Sequence, residues 1–209
     1  MRKKKFYFIV FEGVEGTGKS YQIKKLYNNL KKIKKFDVIQ TREPGGPPTA
    51  EKIRDLIFSK KSSNFDSVTD YFLMCAARNE HVKKLLLRSK KLNKIVICDR
   101  FIDSTYAYQV IGNRIDKKLN ILIQNYILKG LKPDITIVLR SSFKVIFSRI
   151  KKRKNTNKFD KLKINFYKKA QNAYINKAKK NKNYYLFDSS ENSPNLEKKI
   201  LDLIIKKLN

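Results

Sequence analysis

The chain of 209 residues has no tryptophan, one histidine and two cysteines. Cys75 and Cys98 have neither metal nor redox spacing, so the expectation is two buried, reduced thiols in a cytoplasmic protein. No apolar run approaches the ~20 residues that a membrane-spanning helix needs. The basic start, Met1 to Lys5, is followed by an apolar stretch that is short, meets Glu12 and lacks a small-residue cleavage site, which argues against a secretory leader. Acidic residues are scarce: 18 against 49 lysines and arginines, a formal charge of +31. Such an excess first points to a polyanion. Yet Lys, Asn, Ile, Tyr and Phe, all with A/T-rich codons, are abundant together, and the lysines scatter over every predicted helix instead of forming one stripe. Genome composition therefore explains the charge better than a dedicated nucleic-acid surface, and phosphorylated small molecules would still feel the field.

Glycine is also sparse, and three of the seven glycines fall in one short stretch. Phe6 to Phe11 is an aromatic and β-branched run that reads as a buried strand. It breaks into Gly13-Val14-Glu15-Gly16-Thr17-Gly18-Lys19-Ser20, the phosphate-loop pattern, and Ile23, Leu26, Tyr27, Leu30 and Ile33 then follow at helical spacing. Glycines let backbone N–H groups turn around an anion, and the helix start adds its positive dipole end. Lys19 supplies charge to the outer phosphates of ATP, and the Ser20 hydroxyl is a Mg²⁺ ligand.

Further strands are expected at Phe36–Gln40, Lys94–Cys98, Ile135–Leu139 and Tyr184–Phe187. Helices should start near Thr49, with Ile53, Leu56 and Ile57 on one face, and continue after a polar break at Lys60 to Asn64, with Phe72, Leu73, Cys75 and Ala76 packing. Asp103-Ser104-Thr105 reads as a helix cap. Other helices cover Leu119–Leu128, Phe143–Ile150, Phe159–Ala178 and Leu196–Leu208. The alternation predicts one α/β domain over residues 1–209, a three-layer α/β/α fold around a five-stranded parallel sheet.

Ligands of such sheets bind beyond the carboxyl ends of the strands. There the sequence has the phosphate loop, Thr41-Arg42-Glu43 and Asp99-Arg100. Asp99 ends an apolar strand, as a Mg²⁺-organising carboxylate does, and Arg100 can bridge two phosphates. Arg42 and Arg54 are candidates for an acceptor phosphate, although a solvated helix face suits Arg54 equally. Arg78 adjoins a small apolar helix face that leads into the crevice. His81 reads as a surface or capping group. Glu15, a carboxylate inside a phosphate loop, is electrostatically unusual and suited to orienting Mg²⁺ or the acceptor. The basic tract around 149–160 reads either as a lid over ATP or as a solvated turn.

Phe11 to Ser20, Thr41-Arg42-Glu43-Pro44-Gly45-Gly46, Ala76-Ala77-Arg78, Asp99 to Gln109 and Pro133-Asp134-Ile135-Thr136 together resemble the thymidylate kinase family, in that order and over nearly the whole chain. The resemblance implies transfer of the ATP γ-phosphoryl to dTMP with Mg²⁺, by a homodimer; the composition leads us to expect no membrane and no dedicated nucleic-acid partner. It implies that Glu15 positions metal and acceptor, that Arg100 bridges donor and acceptor, that Arg78 contacts thymine, and that Tyr108 crowds the sugar. Met74, Thr105 and Gln109 fall on its substrate-binding motif positions. The phosphate loop lacks the arginine some members carry, so Arg149 and Arg153 of the lid are the implied replacements, as in the bacterial-type branch. Phe101, Pro47, Met74 and Val110 depart from the usual residues. The competing readings are a kinase for another nucleoside monophosphate and a nucleic-acid-binding ATPase.

Overall fold

The computed structural model describes residues 5–59, 65–153, 158–190 and 194–208. The expected polar break at Lys60–Asn64, the centre of the basic tract at Lys154–Asn157, and Met1–Lys4 lie outside the described residues.

β1 (Tyr7–Glu12) leads through the glycine-rich turn to α1 (Lys19–Lys32) and then β2 (Val38–Arg42). α2 (Pro48–Phe58) and α3 (Ser67–His81) follow; a π-helical turn, Val82–Leu86, carries α3 into α4 (Leu87–Lys91). β3 (Ile95–Asp99), the short α5 (Ile102–Thr105), a second π-helical stretch at Tyr106–Gly112 and α6 (Lys117–Leu128) come next. The chain continues with β4 (Ile135–Arg140), α7 (Phe143–Lys151), α8 (Ile164–Lys180), β5 (Tyr184–Asp188) and α9 (Pro194–Leu208). The five strands lie in the order β2-β3-β1-β4-β5, and every pairing is parallel. This is the expected three-layer fold, because parallel strands need helical crossovers and those crossovers cover both faces.

Burial follows the strand alternation. Phe8 and Val10 of β1 join Tyr71, Cys75, Val82, Leu86 and Phe101 on one face. Ile9 and Phe11 meet Ile23, Leu26, Leu30, Leu196, Ile200 and Ile204 on the other. A third cluster, with Val14, Tyr108, Ile146, Tyr167 and Tyr174, joins the phosphate loop to α7 and α8. Short polar side chains start the helices: Asp66 accepts from the Val68 and Thr69 amides at 2.8 and 3.0 Å, and Asp116 from Leu119 at 2.7 Å.

Several local expectations are corrected. The second strand is displaced by two residues, to Val38–Arg42, because Phe36 closes a turn onto the Ile33 carbonyl. On α2, Leu56 is 45% exposed while Ile57 is buried. On α3 the inward stripe is Tyr71, Met74, Cys75, Ala77 and Arg78; Phe72 is 48% exposed and Ala76 also faces out. A buried arginine rotates that face relative to an apolar-only reading. Asp103 caps nothing: its carboxylate is buried and accepts from Lys177 Nζ at 2.6 Å and the Tyr184 hydroxyl at 2.8 Å. The expected helix from Phe159 begins only at Ile164, preceded by a separate 3₁₀ turn, Lys158–Lys161.

Candidate active site

The carboxyl ends of β1, β2 and β3 open on one crevice. Its floor is the phosphate loop. Gly13 has φ of 143° and Gly16 of 76°. A Cβ on Gly13 would stand 2.4 Å from the Leu139 carbonyl oxygen, and one on Gly16 2.7 Å from that of Ile146, so the loop fits only glycine there. Gly18 precedes α1 with no side-chain cap, which leaves the first N–H groups of the helix to a ligand. Thr17 Oγ1 donates to the Val14 carbonyl at 2.7 Å and ties the turn together. Lys19 Nζ donates to the carbonyls of Gly13 at 2.8 Å and Val14 at 3.1 Å. Burial, and then the nearby Arg100 charge, lower its pKa to about 8.

At the end of β3, the Ser20 hydroxyl donates to Asp99 Oδ2 at 3.3 Å, while the buried Asp99 Oδ1 has no hydrogen-bond partner among the described residues. An orphaned buried carboxylate oxygen beside a hydroxyl at the head of α1 suits Mg²⁺, which takes few protein oxygens and completes its shell with phosphates and water. Glu15 stands elsewhere. Its carboxylate accepts from Arg100 Nη2 at 2.7 Å and from the Tyr108 hydroxyl. Burial alone would raise its pKa, but the charges of Arg100 and Lys19 outweigh it and hold the group below the ordinary carboxylate value. Burial also works against the charge on Arg100, and Glu15 more than reverses that, so Arg100 stays ionised.

The opposite wall is made by α2, α3 and the α5 region. Arg54, Met74, Arg78, Thr105, Tyr108 and Gln109 all line the crevice. Arg54 donates to the Pro44 carbonyl at 2.8 Å and lies 4.7 Å above the Phe58 ring. Burial first, and Arg42 second, lower its pKa, the signature of a cation that a phosphate would relieve. Arg42 is half exposed, bonded to Glu51 Oε2 at 2.8 Å, and does not reach the crevice wall. Arg153 lines the crevice and holds Asp160 at 2.8 Å; Phe159 packs edge-on against Tyr108 and Phe58, at 5.2 and 5.7 Å. Lys158 pairs with Asp70 of α3. Arg149 takes a different position: it donates to the Gly16 carbonyl at 3.2 Å and to the Ser189 carbonyl at 2.9 Å, clasping the phosphate loop from outside.

Arg78 is held on three sides. It reaches Glu43 Oε2 at 2.7 Å, Gln124 Oε1 at 2.8 Å and the Phe101 carbonyl at 3.1 Å. Glu43 Oε1 also meets His81 Nδ1 at 2.8 Å, and His81 Nε2 lies 2.9 Å from Thr41 Oγ1. His81 is therefore a fully buried member of this network and not a surface group. Burial would push the Glu43 pKa up; the Arg78 charge and the His81 bond hold it down.

Sequence reasoning named none of Glu43, Phe58, Ser104 and Phe159 as a catalytic or ligand-binding residue, although all line the crevice, nor Glu12 and Tyr174 just behind it. Phe58 had a signal, the four-residue helical step from Arg54. Glu12 had another, a carboxylate at the end of a fully apolar strand.

A glycine turn feeding a helix, a serine–aspartate pair beside it, and arginines on both sides of one crevice define a phosphate-loop nucleotide-binding enzyme. The family model described as thymidylate kinase matches residues 11–200. The thymidylate kinase of Mycoplasmoides gallisepticum is 38% identical over 96% of this chain and 95% of its own length. That of Wolbachia pipientis wMel is 42% identical over 80% and 82%. The crystal structure of thymidylate kinase from Ehrlichia chaffeensis superposes with a TM-score of 0.76 at 29% identity, covering 96% of this chain and 98% of that one. The chain belongs to the thymidylate kinase family.

Proposed function

We propose that the protein transfers the γ-phosphoryl group of ATP to dTMP, giving dTDP and ADP. The observation that carries this reading is the position of Arg100: its guanidinium lines the crevice between the phosphate loop and the α2–α3 wall, paired with Glu15 at 2.7 Å. A planar cation there reaches both phosphates in line. Lys19 and the loop amides hold the donor; Arg54 meets the acceptor phosphate; Arg78, Met74, Thr105 and Gln109 surround the base; Tyr108 borders the sugar. Ser20 and Asp99 would hold Mg²⁺, which would neutralise phosphate charge, and Glu15 orients Arg100 toward the phosphates. Arg153 and Phe159 cover the crevice and exclude water, and Arg149 keeps the phosphate loop in shape. The deciding experiment is an ATP-coupled turnover assay with dTMP, dUMP, UMP, GMP and AMP. dTMP should give the highest kcat/KM; a better rate with another monophosphate would replace it as the substrate, and folded protein inert toward all five would end the reading.

Lys19 makes a further prediction. Its lysine is partly neutral near pH 8 in the free enzyme, and a triphosphate restores the charge. ATP binding near that pH should take up protons, and the uptake should fade as the pH falls, where Lys19 is already charged. Calorimetric titration in two buffers of different ionisation enthalpy reads it; buffer-independent heats near pH 8 would contradict it.

We further propose a homodimer. Val68 and Phe72 of α3 and Ile121, Leu122 and Tyr126 of the adjacent α6 are 48–78% exposed, an apolar face that a monomer rarely leaves to water. Light scattering should report a two-subunit mass, and the double variant Leu122→Glu/Tyr126→Lys should report one subunit. A monomeric wild type would refute it. No helix among the described residues is long and apolar enough to cross a membrane, and the two free, buried thiols support a cytoplasmic location.

A further inference from the structure

Arg100 has a left-handed backbone, φ 72°. For a residue other than glycine this is costly, and the surrounding structure must hold it. Its amide donates to the Phe11 carbonyl at 2.9 Å. The amides of the next segment are tied to Glu12, which is fully buried. Glu12 Oε1 accepts from the Phe101 amide at 2.8 Å and the Ser104 amide at 3.2 Å, and Oε2 accepts from Ser104 Oγ at 2.7 Å. Ser104 Oγ in turn accepts from Arg100 Nη1 at 3.1 Å and lies 2.8 Å from the Tyr174 hydroxyl, which itself receives Arg100 Nη1 at 3.3 Å.

The proton count fixes the direction of this chain. Burial, and then the Asp103 charge, raise the Glu12 pKa to about 7; while Glu12 is ionised, the one Ser104 hydroxyl hydrogen goes to it and the Ser104 lone pairs take Arg100 and Tyr174. Tyr174 donates to Ser104 and accepts from Arg100. Burial holds the Tyr174 phenol well above its usual pKa, so it keeps that hydrogen. Nη1 is thereby committed to Ser104 and Tyr174 and one hydrogen of Nη2 to Glu15, and Nε and the second Nη2 hydrogen are left for phosphate oxygens.

We propose that Glu12, Ser104 and Tyr174 form a buried socket that aims the Arg100 guanidinium at the transferring phosphoryl group. Glu12 and Tyr174 do not line the crevice; they are positioning residues that act through Arg100. The proposal rests on the kinase reading above.

Tyr174→Phe tests it, since the ring and its packing remain and only the hydroxyl goes. kcat for dTMP should fall about 10- to 100-fold, the value of one hydrogen bond to a charged group, with both KM values within about twofold and Tm little changed. In an Arg100→Lys background, where no forked cation remains to be aimed, the same change should cost nothing further. Glu12→Gln should behave like Tyr174→Phe; Tyr174→Phe alone suffices where Glu12→Gln does not fold. Equal losses in both backgrounds, or an unchanged kcat beside an active wild type, would overturn the socket. A wild type inactive on dTMP would fail the kinase reading instead, and a readout independent of turnover then decides: ¹⁵N resonances of the Arg100 Nη atoms should be resolved in the wild type and merge in Tyr174→Phe, and identical spectra would remove the socket.

Discussion

Replacing Arg100 with alanine is expected to lower kcat for dTMP by about 10²- to 10³-fold while ATP affinity changes only a few-fold. The asymmetry follows from where the guanidinium stands. It lies between the donor loop and the acceptor wall, so its interaction strengthens when charge spreads over the phosphoryl group in flight and adds little to the bound ATP. The backbone does not confound the comparison, because alanine and arginine carry the same left-handed cost at φ 72°. Glu15 does need a control: without Arg100 its buried carboxylate keeps Lys19 nearby and the Tyr108 hydroxyl. Arg100→Lys retains the charge there and lacks the fork, so it should recover stability but little of the rate. Single-turnover kinetics with separate ATP binding measurements make the test. Small, equal losses in rate and ATP binding would remove Arg100 from the reacting phosphates.

The largest effect on stability is expected from Glu43→Ala, about 3–5 kcal/mol. Arg78 and Glu43 are both almost fully buried, 2.7 Å apart, with side chains 4% and 3% exposed. Removing the carboxylate leaves a guanidinium out of water without its counter-charge and deprives His81 of its Nδ1 partner. For a chain of this size the thermal midpoint should drop by roughly 6–20 °C. Glu43→Gln should cost less, since one amide oxygen still accepts from Arg78. The pH dependence has a fixed sign. Glu43 titrates below its ordinary 4.5 in the folded protein. Its contribution is present above that value and is lost as the pH falls through the lowered one. The stability gap between wild type and Glu43→Gln should therefore narrow on acidification below about 4.5. A gap that stays constant, or a Glu43→Ala midpoint near the wild type, would show that the pair is not what holds α3 to the β2 end.

The sheet was legible because a parallel sheet covered on both faces leaves its strands as plain apolar runs, as at Ile95–Cys98 and Ile135–Leu139. The phosphate loop was legible because its backbone demands glycine at fixed spacing. The α3 stripe was misread at Phe72 and Ala76 because Arg78 and His81 occupy inward positions that a polarity rule assigns to solvent. What makes those positions tolerable is Glu43, thirty-five residues earlier in the chain and across the crevice; a pairing of that range has no local signature. Asp103 failed for the same reason, since its partners Lys177 and Tyr184 come from α8 and β5. The separation of Arg149 from Arg153 was also invisible: four residues apart on paper, one grips the Gly16 carbonyl and the other lines the crevice.

Lys19 rests on the carbonyl oxygens of its own loop, at 2.8 and 3.1 Å. An arriving nucleotide must compete with them, and a departing one leaves a cation that is at once accommodated. The loop thus holds an internal rival for a nucleotide's charge, so its affinity for phosphate is set by what Lys19 gives up as well as by what it gains.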